Sequence, residues 1–496
     1  MVRSLVGNLL ETRRLAMTIL AFGLLAMSAR RVTDPDVWWH LRTGQLIVQN
    51  HRVFHTDPFS FTRFGQPWIN HEWLSDVLIF ALYRGAGWGG LIVGFAIVIT
   101  GAFLLLFLRC PGRPYLAAFM TAWGAVASCS LWGVRPQMLS LFLTSVFLII
   151  LERAEERPSL LWFTPPLMLL WVNLHAGFPV GLGLMALFAA GKLLELGFSP
   201  GARKEVYPEL RRLLLLLVLC LAIVPLNPYG TQMYLYPLAT LRSPAIQNYV
   251  EEWLSPDFHQ IIFLPVMLML LAMVAAVAWS PRRLSATEIL LLLVTAGAAL
   301  LSVRHIPIFV LVAVPILSAQ IQAWWRVRHP PGKARILFKL VDPAASWVNG
   351  VVMACWLALS IVWIHSIIAR QSATESRTFP EAAVSFVETT GPLGPILNQY
   401  NWGGYFIWKL YPKYQVYIDG RTDLFEGSIM EEAQVLYSLS SPSWPQLLDR
   451  WQIRTVILPP DTPLVAALRQ NDGWKLIYAD PQAVILTRRG DWPANP

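Results

Sequence analysis

Between Thr33 and Trp73 the chain reads TDPDVWWHLRTGQLIVQNHRVFHTDPFSFTRFGQPWINHEW. This stretch carries the carboxylates Asp34, Asp36, Asp57 and Glu72 and the imidazoles His40, His51, His55 and His71, with Asp76 just beyond it. Connections between helices usually run about 4–6 residues. A much longer one, crowded with acids, imidazoles and tryptophans, reads as a working surface. Its carboxylates suit general-base chemistry on a hydroxyl or amine, an effect of typically about 10²–10⁴-fold.

The spacing suggests pairings. Asp34 precedes Pro35, and an Asp before a Pro at the first helical position is a good helix cap. His40 follows Asp36 by one helical turn, so the two can share a face as an oriented acid–base pair. An interfacial histidine beside Trp38 and Trp39 is the plainer alternative. His40, His71 and Glu72 are candidate ligands for a divalent metal, although no HExxH or comparable spacing is present. His40, Asp57 and Glu72 are also candidates for contact with a substrate or acceptor.

The elements that must hold this loop are membrane helices. The 496 residues are 55% hydrophobic and only 14% charged, with a mean hydropathy of +0.49, where a soluble protein carries about 25% charged residues. A span needs about 17–25 apolar residues. About eleven runs qualify, some of them short: 15–29, 86–108, 115–132, 136–151, 160–173, 177–196, 213–226, 261–279, 287–303, 306–323 and 347–368. The stretch 71–84 is amphipathic and predicts a helix lying at the interface. Arg13 and Arg14 before the first run resemble a signal-peptide start, but the many later spans favour a retained first helix.

The net charge of +9 does not mark a nucleic-acid binder, because the basic residues fall in alternate turns between the apolar runs. Arg3, Arg13 and Arg14; Arg109 and Arg113; Arg153 and Arg157; Lys192, Arg203, Lys204, Arg211 and Arg212; Arg282 and Arg283; and Arg326, Arg328, Lys333, Arg335 and Lys339 all assign to the cytoplasm. The first loop and the C-terminal region then face outward. Arg135, Asn173, His175, Asn227, Glu251, Glu252, Arg304 and His305 fall on the same outer side. Arginine suits phosphate through its planar fork of donors, so Arg304 with His305, and Arg135, are candidates for a lipid phosphate. Snorkelling to headgroups explains them equally well. Asn173 and His175 can contact donor or acceptor, or simply cap a turn, and Glu251–Trp253 reads as an interfacial anchor. The cysteines Cys110, Cys129, Cys220 and Cys355 offer neither a disulfide framework nor a CxxC metal site.

Two regions follow: 1–370, a membrane domain with the long loop 31–85, and 371–496, an extracytoplasmic α/β domain. In the latter, strands are expected at 396–400, 415–418, 455–458, 476–479 and 483–487. Helices are expected at 380–388, 404–410, 428–437 and 445–451, with the sheet at least partly parallel. Asp419-Gly420-Arg421 reads first as a turn with an Asp–Arg pair.

A first hydrophobic helix, an outward loop opening with Asp-x-Asp and a long helical core resemble the GT-C superfamily of glycosyltransferases, which includes protein O-mannosyltransferases, oligosaccharyltransferase catalytic subunits and aminoarabinose transferases of lipid A. DPDVWWHLRTGQ, DPFSFT, NHEWL, WVNLHAGF, NPYG, SVRHIP and YNWGGYFIWKLYPKYQVYIDGRTDL look more closely like a bacterial group of such membrane proteins. The resemblance implies a GT-C-like polytopic α-helical membrane protein of the bacterial inner membrane. It implies a polyprenyl-phosphate-linked sugar as donor, membrane lipid as surroundings and a glycan, lipid or protein as acceptor, with no nucleic acid. Some members of that superfamily use a divalent metal. The phosphate is a good leaving group, so one carboxylate base and one cation suffice, whereas a glycosidase needs two carboxylates. The resemblance makes Asp36 the base, because the turn at 50–52 and the stretch 71–84 then fall at the expected distances. Where the family often has a second acid next to the first, this chain has Val37, which keeps Asp34 as the alternative. A transporter or flippase of lipid-linked glycans, or a non-catalytic envelope assembly subunit, is the rival reading. A transporter should show polar residues at mid-membrane depth, and the span interiors here are mostly Leu, Ala, Val and Phe.

Overall fold

In a bilayer a backbone must satisfy its own polar groups, so apolar runs of this length fold as helices. The computed structural model describes residues 12–198, 203–243, 250–329, 343–392 and 394–490. Each apolar run coincides with a helix, from Thr12–Ser28 to Pro343–Ala369. Among the described residues, five helices are long and apolar enough to cross a membrane: Trp73–Arg109, Pro179–Phe198, Ile261–Trp279, Val303–Arg328 and Asn349–Thr378. Leu15–Ser28 and Ala286–Leu301 are shorter apolar helices. Arg3, Lys333, Arg335 and Lys339, assigned above to cytoplasmic turns, lie outside the described residues.

The chain forms two compact units. One takes the chain up to Arg30 with Ile92–Pro237 and Glu251–Ile367; the other takes Arg31–Leu91, Leu238–Val250 and Ile368–Pro496. The boundary expected at 370 lies beside the one between Ile367 and Ile368, but the first loop, Arg31–Leu91, groups with the C-terminal region and not with the membrane helices.

Within the membrane-helix unit, local sequence sets the helix ends. Ser285 and Glu288 make a capping box, each side chain bonding the other's backbone N–H at 3.2 and 2.9 Å, which satisfies two otherwise orphaned donors. Two of the basic turn residues are neutralised by acids. Arg109 binds Glu152 through two bonds of 2.8 and 2.6 Å, and Lys192 pairs with Glu155 and Glu209.

In the other unit, the sheet order is β1 (Ile396–Asn398), β2 (Thr455–Leu458), β4 (Val484–Arg488), β3 (Trp474–Ala479). β1 and β2 are parallel, and the other pairings are antiparallel. The expected strand at 415–418 makes only isolated bridges. Val416 bridges Ile396 on one side and Ser60 of the first loop on the other, with Phe61 N and Val416 N donating across the latter at 3.1 and 3.0 Å. Helices Gln371–Thr378 and Pro463–Arg469 add to those expected. The core holds Leu397, Tyr417, Ile418, Phe425, Val456 and Leu486, and Phe61 packs against it. Gln371 seals the loop's start, accepting from Val32 N at 2.8 Å and donating to Val32 O at 2.9 Å.

The amphipathic stretch 71–84 forms a helix of its own: Trp73–Arg109 is two helices that meet at a kink, where Ala86 and Gly87 leave the helical conformation. Gly87 has φ +56° and ψ −147°, a conformation only glycine adopts without strain.

Candidate functional site

The first loop turns into the helix Val37–Asn50 through its two leading carboxylates, and they do different work. Asp34 Oδ1 accepts from Asp36 N at 2.9 Å, the local turn that a short acidic side chain makes at a helix entry. Asp36 sits at the N-cap position with a helical backbone (φ −76°, ψ −24°), and its side chain makes no capping bond. Its Oδ1 instead accepts from Trp39 Nε1 at 3.1 Å. Asp36 is half-buried, and its carboxylate lies against Gly420: a Cβ built there would stand 1.8 Å from Oδ1.

One turn on, His40 is buried. Its Nδ1 lies 2.6 Å from Asp76 Oδ1, and its Nε2 lies 3.6 Å from Glu72 Oε2. Asn70 Nδ2 binds the other oxygen of Asp76 at 2.8 Å. Glu72 reaches on to His71 Nε2 at 3.3 Å. Burial alone would lower the pKa of His40. The hydrogen bond to Asp76 and the charges of Asp76, Glu72 and Asp36 outweigh it and raise the imidazole to about 9, so it is a cation near neutral pH. His71 follows the same logic: burial lowers its pKa, while the charge and hydrogen bond of Glu72 and the charge of Asp423 raise it overall. The close approach of the two helices depends on Gly44, where a Cβ would stand 2.1 Å from Asp76 O.

Asp57 is buried in a knot of its own. It accepts from Phe59 N at 3.1 Å, from Ser60 N at 3.0 Å and from Ser60 Oγ. Arg421 Nη1 binds it at 2.7 Å. Arg421 also grips Asp419 with Nε and Nη2 at 2.8 and 2.6 Å, and its guanidinium lies 4.6 Å from the Trp68 ring centre. The pair of carboxylates raises the pKa of Arg421 against the effect of burial. Asp57 Oδ1 thus ties the loop to the Asp419-Gly420-Arg421 turn through Arg421, while Oδ2 is spent within the loop on Ser60. Beside that turn, Tyr400 OH and Thr422 Oγ1 share a hydrogen bond of 2.6 Å, and Thr422 Oγ1 lies 3.4 Å from Gly420 O.

The structure thus gathers Asp34, Asp36, His40, His71 and Glu72 on the first loop, with Asp76 added. The acid–base reading of Asp36 and His40 is modified: both nitrogens of His40 face Asp76 and Glu72. The possible metal ligands His40 and His71 both approach the carboxylate of Glu72, and among the described residues no group of three or more His, Cys, Asp or Glu is arranged to hold a metal ion.

The remaining candidates belong to the membrane-helix unit. Asn173 Nδ2 donates to Leu169 O and Leu226 O at 2.9 and 3.2 Å. Asn227 Nδ2 donates to Val172 O at 2.9 Å, so the two asparagines join turn to turn. His175 Nδ1 accepts from Gly177 N at 2.9 Å and lies 2.7 Å from Ser140 Oγ. These contacts are those of turn caps. Arg135 forms an ion pair with Glu252, and the Arg304 guanidinium lies 5.2 Å over the Trp253 ring. Among the described residues, the buried His305 Nδ1 has no hydrogen-bond partner.

Sequence reasoning assigned no role to Asp76, Gly420, Tyr400 or Thr422. The strings DGRTDL and YNWGGYF were conspicuous, but nothing in them announces a partner some 360 positions earlier.

No protein-family model matches the chain, and no curated protein sequence matches it significantly. Solved structures do. The oligosaccharyltransferase of Archaeoglobus fulgidus in its apo form matches with a TM-score of 0.54 at 12% identity, over 97% of this chain and 75% of that one. AglB from the same organism, in complex with an inhibitory peptide and a dolichol-phosphate, matches with a TM-score of 0.57 at 11% identity, over 97% and 74%. ArnT from Cupriavidus metallidurans, bound to undecaprenyl phosphate, matches with a TM-score of 0.51 at 12% identity, over 95% and 96%. At these identities the likeness shows the fold alone: the chain shares its helical membrane fold with these three solved structures.

Proposed function

We propose that the protein is a membrane glycosyltransferase that moves a sugar from a polyprenyl-phosphate donor to an extracytoplasmic acceptor, with Asp36 as general base. The observation that carries this reading is the shared fold, over nearly the whole chain, with two kinds of protein whose structures were solved with dolichol-phosphate and undecaprenyl phosphate. Asp36 is preferred to Asp34 because Asp34 is spent on the helix entry, while Asp36 is half-buried and makes no cap bond. The His40 imidazolium one turn below favours the ionised form of Asp36, the form a base needs.

The chemistry balances simply. The acceptor oxygen or nitrogen forms a bond to the anomeric carbon as the carbon–oxygen bond to the phosphate breaks. Asp36 takes the acceptor's proton, and the polyprenyl phosphate leaves with the electron pair. Arg304 is the first choice to neutralise that phosphate. It sits on an indole beside a histidine nitrogen that has no hydrogen-bond partner among the described residues, whereas Arg135 is already paired with Glu252. The orientation is N-terminus inside and first loop outside, in a bacterial inner membrane, and rests on the alternation of basic turns.

The test is transfer from radiolabelled undecaprenyl-phosphate hexoses to a crude envelope acceptor fraction. Asp36→Asn should abolish transfer in a protein that still folds and inserts, and Asp34→Asn should not. If neither substitution changes transfer, the base assignment fails. If the wild type consumes no donor, the transporter and assembly-subunit readings take its place.

A further inference from the structure

We propose that Gly420 is a positioning residue for Asp36: the Asp419-Gly420-Arg421 turn, fastened to the first loop through Arg421 and Asp57, fixes the Asp36 carboxylate against a Cα that bears no side chain. The proposal deepens the reading of Asp36 as base and rests on it.

The argument starts from the absence of space. A Cβ on residue 420 would stand 1.8 Å from Asp36 Oδ1 and 2.9 Å from its Cγ. Non-bonded atoms do not approach so closely, and both neighbours belong to one short side chain that cannot fold away. The same Oδ1 is the acceptor of the Trp39 Nε1 bond. Any side chain at 420 must therefore push the carboxylate off both supports at once. The required movement is on the order of 1 Å, and a misplacement of that size can cost a reaction about 10²-fold.

The turn is itself rigidly mounted, so yielding there is not the easy escape. Arg421 holds Asp419 by two bonds and Asp57 by a third, all buried. Arg421 N adds a bond of 3.0 Å to Asp419 Oδ1. Thr422 N closes the turn on Gly420 O at 2.9 Å. The C-terminal region in this arrangement is part of the machinery that aims the base.

Two measurements test this. The first is geometric and needs no activity. Asp36→Cys and Gly420→Cys are combined in a background with the four native cysteines replaced, and the membranes are oxidised with copper phenanthroline. The Cγ distance above places the two Cβ atoms within disulfide reach, about 3.5–4.5 Å, so a disulfide should form rapidly. The second uses the hexose-transfer assay. Gly420→Ala should lower kcat about 10²-fold with the donor KM unchanged, while Gly85→Ala, which meets no neighbouring atom, should leave both unchanged. Trp39→Phe, which adds no bulk, should also lower kcat.

A merely structural role would raise the donor KM along with the loss of kcat. Failure of the disulfide overturns the proposal. So does a Gly420→Ala enzyme with full kcat when Asp36→Asn is dead, and in that case the base reading stands. An Asp36→Asn enzyme with full activity overturns both.

Discussion

Asp57 and Arg421 are 364 positions apart in the chain and 2.7 Å apart in the fold. Arg421 is shared with Asp419, so one buried cation serves two buried carboxylates. Removing one partner of a buried pair costs about 3–5 kcal/mol, because it strands the other charge. The two partners are unequal here. Without Arg421, two carboxylates are stranded together; without Asp57, Arg421 keeps its two bonds to Asp419. Arg421→Ala should therefore destabilise far more than Asp57→Asn, by about 3–5 kcal/mol. Denaturant unfolding of the purified protein in detergent checks this, and equal losses would show that Asp419 does not share the charge.

That relationship marks the limit of what the sequence could say. Helices were legible because hydrophobic length alone dictates them in a bilayer, and the loop's importance was legible from its density of acids and imidazoles. The local role of Asp34 was legible only in part: the sequence makes it the cap before Pro35, whereas the N-cap is Asp36 and Asp34 accepts from Asp36 N in the turn before the helix. The partner of Asp57 was not, since nothing around DPFSFT specifies an arginine from DGRTDL. The role of Gly420 was equally hidden, because a glycine's reason lies in the atom that would meet its Cβ, here an oxygen of Asp36. The grouping of the loop with the C-terminal region follows from such long-range contacts, whereas the boundary that composition placed at 370 lies beside the one between Ile367 and Ile368.

His40 makes stability depend on pH in a stated direction. Its pKa is raised from 6.5 to about 9 in the folded protein, by Asp76 on the facing helix, Glu72 in the turn before it and Asp36 at the head of its own helix. The stabilisation is fully present below pH 6.5 and is lost as pH rises through 9. His71, also raised by Glu72 and Asp423, contributes in the same sense. The wild-type melting temperature should fall between pH 6.5 and 9. In a His40→Gln variant that fall should shrink to the part left by His71. A variant with an unaltered slope would show that His40 is not the titrating group.

Asp34 offers a contrast with its neighbour. Its carboxylate accepts from Asp36 N, and a hydrogen bond of this kind contributes about 1 kcal/mol. Asp34→Ala should thus lower the melting temperature modestly and leave hexose transfer near wild type. Asp36→Asn should do the reverse. The pair separates structural from chemical acids in one experiment, and an inactive but fully stable Asp34→Ala would exchange the two roles.

The cation for the phosphate can be separated from its neighbours by kinetics. A hydrogen bond to a charged group is worth about 1.5–3 kcal/mol, so removing one that binds donor and transition state alike should raise the donor KM on the order of 10-fold to 100-fold with kcat little changed. Arg304→Gln is expected to behave in this way. Arg304→Lys keeps the charge but loses the planar fork, and should fall between wild type and Arg304→Gln. Arg135→Gln breaks an ion pair whose side chains are 28% and 25% exposed, where such pairs contribute little, and should leave the donor KM unchanged. His305→Phe removes the buried nitrogen that has no partner among the described residues. If that nitrogen meets the phosphate, KM rises in this variant too; if Arg304→Gln alone moves KM, the histidine only supports its turn. A raised KM in Arg135→Gln with none in Arg304→Gln would transfer the phosphate to the other arginine.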